Sequence, residues 1–381
     1  MKIDIIGGGI GGLTLAIALE QKGITPTIYE QAEHIKPVGA GIILANNAMQ
    51  VYENLGLRKE IEAHGQPITS LLLTEPNLKP LSKLDLTYFE TKYKVKTIAI
   101  HRAVLQRLLI DKLTSTQLHL NHKLKHVTKN ESGHLLEFEN GKLIQSETLI
   151  AADGIHSVVR ENLFKPNTIR HANQVCWRGI SNYDLPEQHT TELNEIWGNN
   201  GRFGFVQIAK NKVYWYALKS YKLNSKELSV NKLEHYFSSY HPIVNSIIKS
   251  TSKEHINTAE ISDLKPISTW YHQNVCLMGD AAHALTPNMG QGACQAIEDA
   301  YILAQCLNQY QGQKAFESFQ KLRLSKAHLV VNTSWTVGKM AHISNPILIK
   351  IRNQLMKLIP AKLNRKQTRK IFKLAELPLS N

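Results

Sequence analysis

The stretch that decides the fold runs from Ile5 to Glu30, IIGGGIGGLTLAIALEQKGITPTIYE. A short apolar run enters five glycines between positions 7 and 12, an alanine- and leucine-rich run leaves them, and a second apolar run closes on an acid. Periodicity predicts a strand over Lys2–Ile6, a helix over Gly11–Gln21 and a strand over Thr25–Glu30, which together make a βαβ unit. Gly7, Gly9 and Gly12 fit GxGxxG: the first permits the turn, the second lets a pyrophosphate approach the backbone, and the third lets helix and strand pack closely. Gly11 opens the helix whose amides face the phosphates. Glu30, with Gln31 beside it, stands where an acid accepts hydrogen bonds from ribose hydroxyls, and its charge would repel a 2′-phosphate. The motif therefore predicts FAD or NAD in this pocket rather than NADP.

A second glycine-cornered junction lies in NVCLMGDAAHALTPNMGQGACQAIEDA, Asn274 to Ala300, read as a buried strand, a loop and a long helix. Asp280 follows the strand directly, where its carboxylate can bond cofactor sugar hydroxyls. Pro287, Gly290 and Gly292 shape the loop, and amides at the helix start favour negative charge, which suits a reduced isoalloxazine better than a nicotinamide. Between the two junctions, Lys36–Leu57 carries closely spaced Gly39 and Gly41 before a helix, and Ile100–Leu113 is an amphipathic helix opening with His101 and Arg102. Asn140-Gly141 reads as a hairpin turn between alternating strands. From Asn173 to Ser268 the aromatic, alternating, turn-bounded segments predict a largely antiparallel sheet. With no repeat and no linker, the domains should interleave. The expected division is an FAD-binding domain from 1–70, 98–172 and 275–345, a substrate domain from 71–97 and 173–274, and a basic helical segment over 346–381.

The 381 residues are 43% hydrophobic and carry a formal charge of +14. Cys176, Cys276, Cys294 and Cys306 are scattered without CxxC pairing, so they read as buried apolar residues, with no metal site or disulfide framework expected. No apolar run is long enough to span a membrane and the N-terminus does not read as a signal peptide, so the cytoplasm is the expected compartment. Basic charge is concentrated only at Ile347–Lys373, where Lys and Arg alternate with Ile and Leu. Such a helix suits either weak contact with anionic lipid or packing on its own protein. A nucleic-acid partner is not expected; the chain reads as a monomer or homodimer.

The segments GGGIGG, AADGIHSVVR and GDAAHALTPNMGQGACQAIEDA, in this order, resemble the single-component FAD-dependent aromatic hydroxylases, the family of p-hydroxybenzoate hydroxylase. The resemblance spans roughly residues 1 to 340 and is nearest to the FAD-dependent urate hydroxylase and zeaxanthin epoxidase type. It implies an α/β fold with a Rossmann-like FAD-binding domain, an interleaved antiparallel substrate domain and C-terminal helices. It implies FAD as bound cofactor, NADPH or NADH as transient reductant, and O2. Oxygen would be transferred through a flavin C4a-hydroperoxide to a small aromatic, heterocyclic or conjugated substrate. By the same resemblance Arg102 contacts the FAD phosphate region, Asp153 lies at the pyrophosphate side, Asp280 binds the ribityl chain, and Gly290, Gln291, Gly292, Ala293 and Cys294 adjoin the flavin ring. Arg202 and Tyr214, twelve positions apart, would orient the substrate over the flavin. Val206–Ile208 and Asn288 depart from the urate pattern. A flavin-dependent reductase on the same fold and a membrane-associated flavoprotein that only binds are the alternatives. His283 reads as a packed polar residue rather than a base.

Overall fold

The computed structural model describes residues 2–35, 40–164, 168–221 and 228–377; Gly39 lies outside these. Six strands form one sheet in the order Tyr271–His272, Val275–Leu277, Leu149–Ala151, Ile3–Ile6, Pro26–Tyr29, Gln117–His119. All pairs are parallel except the first, at the sheet edge. The central strands Ile3–Ile6, Leu149–Ala151 and Val275–Leu277 are buried at every position because both sheet faces are covered: Ile3, Ile5, Leu149, Ile150 and Val275 are all fully buried. The helix Ile10–Glu20 leaves the first strand, and the helix Gly292–Gln309 follows the strand Val275–Leu277. Since the two strands are parallel within one sheet, both glycine corners emerge at the same edge, where ligands bind in open α/β sheets.

A seven-stranded sheet, in the order Asn257–Leu264, Ile169–Ser181, Lys212–Ser220, Gly201–Ala209, Glu192–Trp197, Ser70–Thr74, Pro80–Asp85, stands over that edge. Its pairs are antiparallel except Glu192–Trp197 with Ser70–Thr74. One hydrophobic cluster joins both parts, from Ile5 and Leu149 to Val206 and Tyr214. The strands Gly133–Phe138 and Leu143–Ser146 pair antiparallel across Asn140 and Gly141, as the turn residues predict.

Two expectations are corrected. Ala281–Gly292 is not one loop: Asp280–His283 forms a single helical turn and Pro287–Met289 a 3-10 turn. The C-terminal basic segment is not one helix but two, Pro346–Leu358 and Ala361–Phe372. Pro360 breaks it, because proline lacks the amide donor and drives the residue before it into extended backbone; Ile359 has φ −68° and ψ 118°. No described helix is long and apolar enough to cross a membrane.

Candidate active site

Gly7 has φ +108°, and a Cβ there would lie 2.4 Å from the Ala152 carbonyl oxygen, so the turn admits only glycine. A Cβ on Gly12 would lie 2.0 Å from the Gly7 oxygen, which is the close helix–strand packing that the third motif glycine serves. At Gly9, by contrast, a Cβ would meet nothing within 4 Å. The Glu30 carboxylate folds back on the motif: one oxygen accepts from the Gly8 amide at 2.6 Å and the other from Ala32 at 2.9 Å. Each oxygen keeps a lone pair for a further donor.

The two glycine corners converge. Cβ atoms added to Gly11 and Gly279 would lie 3.1 and 3.0 Å from the same atom, Ala296 Cβ. A cavity of about 1330 Å³ joins them, lined at one end by Gly7, Gly9, Gly11, Glu30 and Gln31 and further along by Arg102, Asp153 and Asp280. Pro287, Gly290, Gln291, Gly292 and Ala293 line it as well. Added Cβ atoms at Gly290 and Gly292 would meet nothing within 4 Å, so this turn stands open to a flat group. Asp153 holds one oxygen against the Val159 amide at 3.3 Å, while its other is buried without a partner. Enclosure in the cavity wall pushes the Asp153 carboxyl above the usual carboxylate range. Two open glycine turns and an orphaned acceptor along one elongated cavity fit a dinucleotide cofactor.

Cys294 departs from expectation. Its thiol turns away from the cavity and is buried against the Ile43 carbonyl at 3.4 Å, because it faces the core side of its helix. His283 is buried too, its Nε2 2.6 Å from Asp299. This pair belongs to a charged network beneath the open turn. The Arg323 guanidinium donates to Asp299 at 2.7 Å and also binds Glu298, and Lys326 reaches both Glu298 oxygens at 2.7 Å. Asp299 accepts from the Gly279 amide at 2.9 Å, and Asn47 bridges Gln291 and Glu298 at 3.2 Å each. Burial raises the Asp299 pKa, but the charges of His283 and Arg323 outweigh it and bring the group to about 2. The network ties the second corner to the helix Gln313–Ala341.

Past the open turn the cavity continues beneath the seven-stranded sheet. Its polar residues here are Arg178, Glu195, Tyr214, Tyr216 and Asn288, and its apolar wall includes Leu71, Leu84, Leu193, Met289, Ile371 and Phe372. Gly41 leaves room for Tyr214, since a Cβ would lie 2.3 Å from the Tyr214 ring. Burial raises the Tyr214 phenol to about 12, so it is a neutral hydrogen-bonding group at physiological pH. The Arg178 Nε lies 3.3 Å from the Cys176 sulfur.

Arg202 and Tyr214 are on the same sheet face, since Arg202 pairs with Leu218 and Val206 with Tyr214, and side chains alternate along each strand. They do not share the cavity. Tyr214 lines it, whereas Arg202 is fully buried behind, donating to Glu195 at 2.9 Å and to Asn288 at 2.5 Å. Glu195 also accepts from Tyr216 at 2.5 Å and Trp197 at 2.6 Å. Sequence reasoning missed Glu195, Tyr216, Ile371 and Phe372. Period-2 alternation in the strand Glu192–Trp197 could have drawn notice to Glu195, an acid among apolar neighbours, but nothing local marks the helix residues.

The family model described as FAD binding domain matches residues 1–333. The aurachin C monooxygenase/isomerase of Stigmatella aurantiaca is 32% identical over 364 residues, covering 94% of each chain. The 2-heptyl-3-hydroxy-4(1H)-quinolone synthase of Pseudomonas aeruginosa is 26% identical over 98% of each chain. The structure of Klebsiella pneumoniae HpxO complexed with FAD and uric acid superposes with a TM-score of 0.88 at 25% identity, covering 98% of this chain and 96% of that one.

Proposed function

The chain belongs to the FAD binding domain family, and on that premise we propose that this FAD-dependent monooxygenase uses NADPH or NADH and O2 to hydroxylate or epoxidise an aromatic nitrogen heterocycle carrying an apolar side chain. One oxygen atom enters the product, the other leaves as water, and the nicotinamide is oxidised. When bound, FAD supplies the electron relay and the activation of O2. The chain's own residues bind, orient and exclude water. Glu30 and the Gly9 turn would hold the adenosine and pyrophosphate end, Asp280 the ribityl chain, and the turn from Gly290 to Ala293 the ring. Arg102 would neutralise phosphate charge, and Asp153, at the pyrophosphate side, would accept a bond from a cofactor hydroxyl or from the docking reductant.

The observation that carries the proposal is that Gly9 and Asp280, some 270 residues apart in the chain, line one cavity that continues into a chamber under Tyr214 and Tyr216. The chamber sets the polar groups of Arg178, Glu195, Tyr214, Tyr216 and Asn288 beside an apolar wall of Leu71, Leu84, Leu193, Met289, Ile371 and Phe372, which supports a ring with hydrogen-bonding edges and a tail. The quinolone named for one relative has this chemistry. Tyr214 and Tyr216 would bond the heterocycle, and Arg178 a carbonyl or enolate oxygen. Arg202 would act through Glu195 and Asn288. The division into an FAD-binding part (1–70, 98–172, 275–345) and a substrate part (71–97, 173–274) is proposed on the same footing, supported by Ser70–Thr74 and Pro80–Asp85 lying in the seven-stranded sheet. The experiment is a panel of 2-alkyl-4-quinolones, unsubstituted phenols and urate, read as stimulated NADPH oxidation with 18O-labelled O2. Label should enter an alkylquinolone product; urate turnover with no response to alkylated rings would overturn the substrate class, and unlabelled product would indicate a reductase.

A further inference from the structure

Helices on a protein surface normally turn apolar residues inward and charged residues outward. The helix Pro346–Leu358 does the reverse. Its buried residues are Arg352 and Asn353. Arg352 donates to the carbonyls of Met340 and Ala341 at 3.1 and 3.3 Å and to Asn353 Oδ1, and its guanidinium lies 5.2 Å from the Trp197 ring centre. Those contacts fix the helix's rotation. They leave Ile347 (69% exposed), Leu348, Ile351, Leu355 and Leu358 (75% exposed) in solvent. At about 100° per residue these five fall within an arc of about 100°, and Lys350, Gln354 and Lys357 flank it on one side.

The helix Ala361–Phe372 has the ordinary arrangement, burying Ile371 and Phe372, and adds basic charge beside the exposed stripe. Leu363 is exposed, as are Lys362, Lys366, Arg369 and Lys370, and none of these four cations forms an ion pair with a described residue. No acid occurs between Pro346 and Lys373. From this inverted helix and its basic neighbour we propose that the C-terminal helix pair is an interfacial anchor that lays the protein on an anionic lipid bilayer.

Charge selects lipid over a second copy of the chain. A two-fold dimer through this face would set one basic, acid-free helix pair against another, whereas phosphate headgroups complement Lys350, Lys362, Lys366 and Lys370 while the aliphatic stripe enters the acyl boundary. The anchor also meets the site. Thr368, Ile371 and Phe372 of the second helix line the cavity, so one helix presents cations to the headgroups and apolar side chains to the chamber. If the apolar-tailed substrate proposed above is correct, it reaches the chamber from the bilayer rather than from water.

The test is sedimentation of the full-length FAD-loaded protein with vesicles of phosphatidylcholine alone or with added phosphatidylglycerol. The wild-type chain should pellet with the anionic vesicles and be partly released by salt. Ile351→Gln with Leu355→Gln, at positions more than half exposed, should lower the partition coefficient by about tenfold or more. Lys362→Glu with Lys366→Glu should remove the preference for anionic lipid. Flavin absorbance identical to wild type establishes that the variants fold. A wild-type chain that stays in the supernatant with both vesicles, a glutamine pair that pellets as wild type does, or a concentration-dependent dimer dissolved by that pair would overturn the anchor. Substrate-stimulated NADPH oxidation without vesicles reads the oxygenase reaction separately, so failure of one assignment does not carry the other.

Discussion

Replacing Arg202 by methionine tests whether this residue touches substrate or sets the groups that do. Arg202 is fully buried and makes two charge-assisted hydrogen bonds, to Glu195 at 2.9 Å and Asn288 at 2.5 Å. Each such bond contributes about 1.5–3 kcal/mol, and breaking a buried pair by removing one partner costs about 3–5 kcal/mol. Glu195 borders the cavity and keeps donors from Tyr216 and Trp197, so the lower end applies, about 3 kcal/mol. For a chain of this size that is roughly 6 °C in melting temperature, at about 2 °C per kcal/mol. Glu195→Gln should cost a similar amount by leaving the guanidinium without its carboxylate. The double variant should cost clearly less than the sum, with a coupling of at least about 1 kcal/mol. Thermal unfolding of the FAD-loaded proteins measures the stabilities, and NADPH oxidation with substrate gives KM and kcat for each. Because Arg202 does not reach the cavity, Glu195→Gln should reproduce its effect on KM. Additive stabilities, or an Arg202→Met protein with unchanged melting temperature and a large KM increase, would falsify the placement of Arg202 behind the wall.

Gly41→Ala drives a methyl into the Tyr214 ring, 2.3 Å from its nearest carbon, and should destabilise by about 1–3 kcal/mol while raising KM, as checked by unfolding and steady-state kinetics. Arg323→Met leaves Glu298 and Asp299 buried without their guanidinium, an expected loss of about 3–5 kcal/mol, with FAD dissociating at lower urea in a fluorescence titration. Burial, reinforced by Arg202, Lys219 and Arg352, lowers the His342 imidazole to about 3. The unfolded chain therefore binds a proton near pH 6.5 that the folded chain refuses, and stability falls as pH drops from 6.5 toward 3. His342→Gln should flatten that limb in chemical unfolding curves taken across this range; an unchanged slope would count against it.

The two glycine corners that line the cavity were legible in sequence because their determinants are local. Gly7, Gly9 and Gly12 act through backbone shape at fixed spacing, and Glu30 closes the same βαβ unit; the second corner at Asp280 and Gly290 has the same character. The chamber under the seven-stranded sheet depends on contacts between distant segments. Arg202 and Tyr214 keep the spacing expected of them and share a sheet face, yet only tertiary packing puts Glu195 and Asn288 between Arg202 and the cavity. Cys294 sits one helical position beyond Ala293, and the rotation of its helix turns the thiol to the core. The basic C-terminal segment shows the limit most plainly: its amphipathic period is written in the sequence, but which face meets the protein depends on Trp197 and the Met340 and Ala341 carbonyls capturing Arg352. Local backbone requirements can be read from residue type, whereas the direction a side chain faces is decided by what the rest of the chain brings against it.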